Sequence, residues 1–169
     1  MAIWRPLTPK DVEGIVQVAN VVHTALQERD SVFAERARIC HESCFVLEEE
    51  ARICGYAISH PIRHGQPPAL DSFLGEIASD ADQFYIHDIC VIPELRGRGH
   101  AFEAVDKLLA IAERYPTTCL VSVYGTAPFW ARFGFRPPDT IDHTLSEKIC
   151  GYGGDAVYLE RRNNSRSHP

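Results

Sequence analysis

Residues 85–114, YIHDICVIPELRGRGHAFEAVDKLLAIAER, constrain this chain more than any other stretch. An apolar strand over 85–92 runs into Pro93 and then into a basic loop carrying Gly97 and Gly99. The loop opens directly into an amphipathic helix, with Phe102, Val105, Leu108, Leu109 and Ala112 at helical spacing. A strand that hands a glycine-containing turn to a helix start leaves unpaired N–H groups at the positive end of the helix dipole, which makes an anion site. Such a unit calls for an α/β fold that grips a phosphorylated ligand.

Charge narrows the ligand. The chain has 17 basic and 23 acidic residues and a net charge of −6. That balance argues against nucleic acid as a partner, because phosphate backbones are held by a surplus of Lys and Arg. Basic groups gathered in one loop of an acidic chain point instead to a local anion site. No apolar run approaches the roughly 18 residues of a membrane span, so no membrane partner is expected. Three of the six cysteines, Cys54, Cys90 and Cys119, sit in apolar strand-like runs where a free thiol acts as a small hydrophobe. No CxxC pair or signal peptide stands in the sequence, so the expected setting is a reducing, cytoplasmic one. Cys40-His41 with Cys44, and His87 with Cys90, do not repeat into a four-ligand set, and no metal is expected.

In chain order, a first strand is expected over 3–7. Thr8 then caps a helix with Pro9 at its first position, and Val12, Ile15, Val18, Ala19, Val22 and Leu26 line its apolar stripe. A second helix covers 32–41. Strands over 44–48 and 53–60 flank a short acidic turn and form an antiparallel hairpin. Residues 61–83 are irregular, with a helical turn conceivable over 70–77. After the central strand and helix come a strand over 119–124, a short helix over 129–133 closed by Gly134, and a strand-like segment from Phe135. Residues 139–154 are polar and turn-rich, and 156–160 form the last strand. The expected order is βααββ-loop-βαβαββ around one mixed, mostly antiparallel sheet. Residues 1–160 make one domain and 161–169 a polar tail.

Two phosphate motifs fail on the loop. A dinucleotide fingerprint lacks its third small residue, because Phe102 stands there, and a P-loop lacks its Lys. The pattern Arg96-x-x-Gly99-x-Ala101 after Pro93-Glu94 resembles the acyl-CoA pyrophosphate loop of the GNAT superfamily of N-acetyltransferases. Downstream, Ala127-Pro128-Phe129-Trp130-Ala131-Arg132-Phe133-Gly134-Phe135 is similar to that family's second signature. This resemblance implies the GNAT fold and an acetyl-CoA-dependent N-acetyltransferase. Ile89, Cys90 and Val91 would offer main-chain groups to pantetheine. Gly97, Gly99, His100, Ala101 and Phe102 would wrap the pyrophosphate, with Arg96 and Arg98 supplying charge and Phe129 and Trp130 nearby. A small-molecule amine is the implied acceptor, a protein amine or a non-catalytic acyl-CoA-binding role the alternatives, and a homodimer is common in the family.

Attack of an amine on a thioester needs a base for the amine and a proton for the leaving thiolate. His87 is the candidate base, and its alternative is a hydrogen-bonded core histidine. Its strand and the Pro128–Phe135 segment locally resemble the arylalkylamine N-acetyltransferases, where a catalytic histidine pair would fall at His87 and Tyr85. Asp88 should face away from His87 unless the strand bulges. Trp130 stands where many family members carry a tyrosine acid, and indole is only an N–H donor. Tyr124, ending the next strand, is the candidate to stand near the sulfur. Glu28 or Asp30 could receive a cationic amine. Spacing does not choose among His23, His41, His60 and His64.

Overall fold

A computed structural model describes residues 1–163. Six strands lie side by side in sequence order: β1 (Ile3–Pro6), β2 (Cys44–Glu49), β3 (Arg52–Ile62), β4 (Gln83–Val91), β5 (Thr117–Ser122) and β6 (Val157–Arg162). Every neighbouring pair is antiparallel except β4 and β5, which run parallel. The parallel step needs a crossover, and α3 (His100–Ala112) supplies it. The remaining helices are α1 (Val12–Val22), α2 (Asp30–Ile39), α4 (Ala127–Ala131) and α5 (His143–Cys150). This is the expected α/β architecture with its mostly antiparallel sheet.

Local chemistry explains the element ends. Thr8 and Asp11 form a reciprocal capping box ahead of α1, as the Thr-Pro signal suggested. The β2–β3 hairpin turns through Glu50 and Ala51, both at positive φ (50° and 63°), the twist a two-residue turn needs. The β1 edge is tied to the start of α3 by Trp4, whose Nε1 donates to the His100 carbonyl at 2.9 Å.

Several expectations are corrected. α1 stops at Val22 rather than reaching Leu26, because His23 turns out of the helix toward β4. The segment 70–77 has no helix. The strand after Phe135 shrinks to one bridge between Arg136 and Glu160, since Pro137 and Pro138 cannot extend a ladder. Inside the supposedly turn-rich stretch lies α5, capped by Asp142, which accepts from the Leu145 N–H at 2.7 Å. Leu145 and Ile149 enter a small core with Ile62, Tyr85, Val121 and Tyr158. The last strand runs past the expected domain end at residue 160. Arg161 and Arg162 belong to β6, and buried Asn163 bonds Thr118 and the carbonyls of Ala112 and Tyr115, tying α3 to β5. Residues 164–169 lie outside the described residues. Among the described residues, no helix is long and apolar enough to cross a membrane. The cysteines are all free, and all but Cys150 are buried.

Candidate active site

The site originates in a defect of the sheet. Ile58 of β3 pairs with Asp88, but its neighbour Ser59 pairs with Ile86, so His87 is an extra residue bulged out of β4. A bulge bends its strand and re-aims its side chains. Pairing of β4 with β5 ends at Ile86 and Leu120, so Asp88, Ile89, Cys90 and Val91 have no β5 partner. The two strands part around a cavity of about 380 Å³. Ile89, Cys90, Val91, Arg96, Ala101, Phe129 and Trp130 line it, as do His87, Asp88 and Tyr124. The bulge is what lets adjacent His87 and Asp88 share one cavity.

The loop beyond the cavity carries Gly97 at φ 79° and Gly99 at φ 85°, the latter just before the first residue of α3. Both positions open to space, so the turn and not crowding requires glycine there. Arg96 donates from Nε to the Val91 carbonyl at 3.2 Å and braces the loop on the end of β4. Gly97, Arg98 and Gly99 stand exposed past the cavity rim. His100 and Phe102 do not line the cavity. Phe102 packs on Phe129 and Phe133 and, at 41 % exposure, covers α4. Trp130 is buried among Phe129, Phe133 and Phe135.

Two hydrogen-bonded lines meet at the bulge. In the first, His23 at the end of α1 bonds Asp88 Oδ2 through Nε2 at 2.7 Å and Tyr124 Oη through Nδ1 at 2.8 Å. Tyr56 donates to the same Asp88 oxygen at 2.7 Å. Burial disfavours the His23 cation, but the bond to Asp88 and its charge outweigh this and raise the imidazole above its ordinary value. Burial likewise opposes the Asp88 charge, and its His23 bond nonetheless holds it below the usual carboxylate range. Burial and the Asp88 charge push the Tyr124 phenol up. Tyr124 sits at φ 56° with Gly125 at 69°, a turn that swings its ring onto His23 at 5.6 Å between centroids. A left-handed tyrosine costs about 1–2 kcal/mol, a strain that points to function when it occurs at a cavity wall.

In the second line, His87 Nε2 meets Glu28 Oε1 at 2.6 Å, and its Nδ1 meets the Tyr85 hydroxyl at 3.1 Å. Tyr85 also bonds the Tyr152 hydroxyl at 3.2 Å. The His87 and Glu28 side chains are 4 % and 6 % exposed. Burial works against the Glu28 charge, yet His87 keeps its carboxyl below the ordinary range. An ionised carboxylate only accepts, so the Nε2 that faces Glu28 carries a proton. Beyond Tyr85, the Tyr152 hydroxyl donates to the Pro68 carbonyl at 2.8 Å. Beside this pair, Leu26, Leu70, Val123 and Tyr152 line a hollow of about 30 Å³. A clasp holds Glu28 in place: Glu28 accepts from the Asp71 N–H, and Asp71 pairs with Arg29.

His87, Tyr85 and Tyr124 therefore do sit at one place, Tyr85 one bond behind the cavity wall. Sequence spacing missed His23 and left Glu28 as one of two options. No local signal marked His23, because the apolar stripe carried the expected helix past it to Leu26.

The sequence of residues 13–135 matches the model of the acetyltransferase (GNAT) family. The chain belongs to the GNAT acetyltransferase family. No curated protein matches it in sequence. Among solved structures, this chain resembles the GphF GNAT-like decarboxylase in complex with isobutyryl-CoA, with TM-score 0.79 and 15% identity over 96% of this chain and 100% of that one. The ribosomal-protein-S18-alanine N-acetyltransferase from Escherichia coli superposes with TM-score 0.66 and 15% identity over 96% and 94%. The PaiA N-acetyltransferase from Thermoplasma acidophilum, in complex with coenzyme A, gives TM-score 0.64 and 11% identity over 96% and 99%. At such identities the superpositions speak for the fold alone.

Proposed function

We propose that this GNAT protein transfers an acetyl group from acetyl-CoA to the primary amine of a small molecule by direct attack on the thioester. The observation that carries the reading is the Asp88–His23–Tyr124 line. It brings a phenol to the wall of the cavity, where Trp130 supplies none.

The residues present fit acetyl-CoA. Main-chain groups of Ile89, Cys90 and Val91, unpaired on the β5 side, can bond an extended pantetheine arm as a missing strand would. The glycine loop and the first turn of α3 present N–H groups, and Arg96 and Arg98 present charge, for the pyrophosphate.

The amine side falls to Glu28 and His87. In its neutral form His87 takes the amine's proton, and the imidazolium then donates from Nδ1 to the Tyr85 hydroxyl, Tyr85 to Tyr152 and Tyr152 to the Pro68 carbonyl. Glu28, on Nε2, stabilises the resulting imidazolium. On the thiol side, His23 donates from Nδ1 to Tyr124 Oη, which leaves the phenol proton free for the departing thiolate. Tyr124 passes that proton to sulfur and recovers one from His23, while Asp88 holds the ring by Nε2. Each proton has a source and a destination.

The small hollow beside Glu28 and His87, about 30 Å³, offers room for an amine head next to the buried pair. The test is CoA release from acetyl-CoA over matched panels of small primary amines and amino-terminal peptides. Acceleration by small amines alone is expected. Acceleration by peptides alone would move the acceptor to protein. Tight acetyl-CoA binding with no acceptor in either panel would make this a binding module.

A further inference from the structure

One contact in the site has no use in acetyl transfer. Cys90 Sγ lies 3.0 Å from His23 Nε2, the nitrogen that already faces Asp88 Oδ2 at 2.7 Å. The sulfur is also 3.4 Å and 3.5 Å from the two Asp88 oxygens. This is not a nucleophile triad. There the carboxylate and the thiol take opposite ring nitrogens, whereas here both converge on one. Burial and the Asp88 charge also push the Cys90 thiol up, away from the thiolate a nucleophile needs.

Three donor atoms converging on one point are what a metal ion requires. We propose that His23, Asp88 and Cys90 form a Zn²⁺ site. Zinc takes imidazole, carboxylate and thiolate at about 2.0–2.3 Å, which places tetrahedral ligand atoms roughly 3.3–3.6 Å apart. The sulfur–oxygen spacing already meets this, and the two spacings to Nε2 need to open by only about half an ångström. These atoms lie within 4.8 Å of one another, the one such group of three among the described residues. All three residues line the cavity, so a fourth ligand can enter from there.

The surroundings are those of a built site. A ligating imidazole is set by a bond on its other nitrogen, and His23 Nδ1 has Tyr124. A ligating carboxylate is in turn held by a donor, and Asp88 has the Tyr56 hydroxyl. Charge also balances. Zn²⁺ with one carboxylate, one thiolate and a neutral imidazole is neutral overall, which removes the main cost of burying it. Binding displaces the proton shared at Nε2 and the thiol proton, and both go to solvent. The sulfur and imidazole select Zn²⁺ over Mg²⁺ or Ca²⁺, which prefer all-oxygen sites. A metal there would withdraw His23 and Asp88 from proton delivery, so zinc would act as a reversible inhibitor. That consequence rests on the acetyl-transfer reading, whereas binding does not.

The test measures binding without turnover, in a Cys150→Ser background that removes the exposed thiol. Cobalt(II) is the spectroscopic probe and Zn²⁺ competes against a chelating dye. One equivalent of Co²⁺ should give a thiolate-to-cobalt charge-transfer band that one equivalent of Zn²⁺ erases. Cys90→Ser should abolish the band and weaken Zn²⁺ by about 100-fold or more, and Tyr56→Phe should weaken it by roughly 10-fold or more. A spectrum without a thiolate band, or one that survives Cys90→Ser, would overturn the proposal. Thermal melts of each variant separate a lost site from a lost fold. Should Cys90→Ser unfold, His23→Gln, on a residue from a different element, takes its place with the same expected loss.

Discussion

Gly55 tests how rigidly β4 must be held for this site to work. It pairs with Leu47 of β2 and Val91 of β4. A Cβ added there would stand 2.5 Å from the Cys90 carbonyl oxygen, 3.3 Å from Leu47 Cβ and 3.4 Å from Val91 Cα. Carbon–oxygen contacts between strands settle at about 3.3–3.6 Å, so Gly55→Ala drives the Cys90 carbonyl back by roughly 1 Å. The obstructing atom is main chain, so no rotamer relieves the clash, and overpacking of this kind costs about 1–3 kcal/mol. In a domain of this size each kcal/mol lowers Tm by about 2–4 °C, giving an expected fall of roughly 2–12 °C by calorimetry. The same displacement moves the main chain that is proposed to hold pantetheine. Acetyl-CoA affinity by titration calorimetry should fall at least about tenfold, or ~1.4 kcal/mol. A Gly55→Ala protein with wild-type Tm and wild-type affinity would refute the idea that β4 at Cys90 is a fixed rail for the thioester.

Two further outcomes follow from other parts of the molecule. His60 is fully buried, and burial depresses its pKa from 6.5 to about 3, so the unfolded chain binds the extra proton first. Stability is therefore whole above pH 6.5 and is lost as pH falls toward 3, by at most about 5 kcal/mol. His60→Phe should flatten this limb in denaturant titrations across pH 3–7, and an unchanged limb would assign acid sensitivity elsewhere. Asp71→Ala cuts the clasp to Arg29, an exposed pair worth about 0.2–1 kcal/mol. Stability should hardly move while bulkier amines become substrates, whereas an unaltered acceptor range would mean that the clasp does not bound the acceptor pocket.

What the sequence shows and hides divides along chain distance. The strand, loop and helix of 85–112 are contiguous, so periodicity and two glycines describe them with no tertiary knowledge. The hairpin of β2 and β3 and the capping box at Thr8 are legible for the same reason. α5 is not, because only Leu145 and Ile149 of its eight residues are buried, too few to set a helical stripe above a polar background. The Asp142 cap was its one available sign. The bulge at His87 is a property of pairing with β3 and has no signature in β4 alone. The Asp88–His23–Tyr124 line spans 65 and 101 positions of chain, so spacing cannot assemble it. Tyr124 was expected to end a strand, but β5 stops at Ser122 and Tyr124 lies in the turn beyond it, and its partner was one of several scattered histidines until α1 was seen to stop at it.

The measurement closest to the central claim is turnover of Tyr124→Phe with the best small amine. The ring stands half exposed at the cavity wall, so loss of its hydroxyl leaves the fold in place. If the phenol delivers the proton to the thiolate, kcat falls about 100-fold while acetyl-CoA affinity stays at the wild-type value. A variant that keeps wild-type kcat would contradict the account, and proton delivery through His23 and Tyr124 would have to be abandoned.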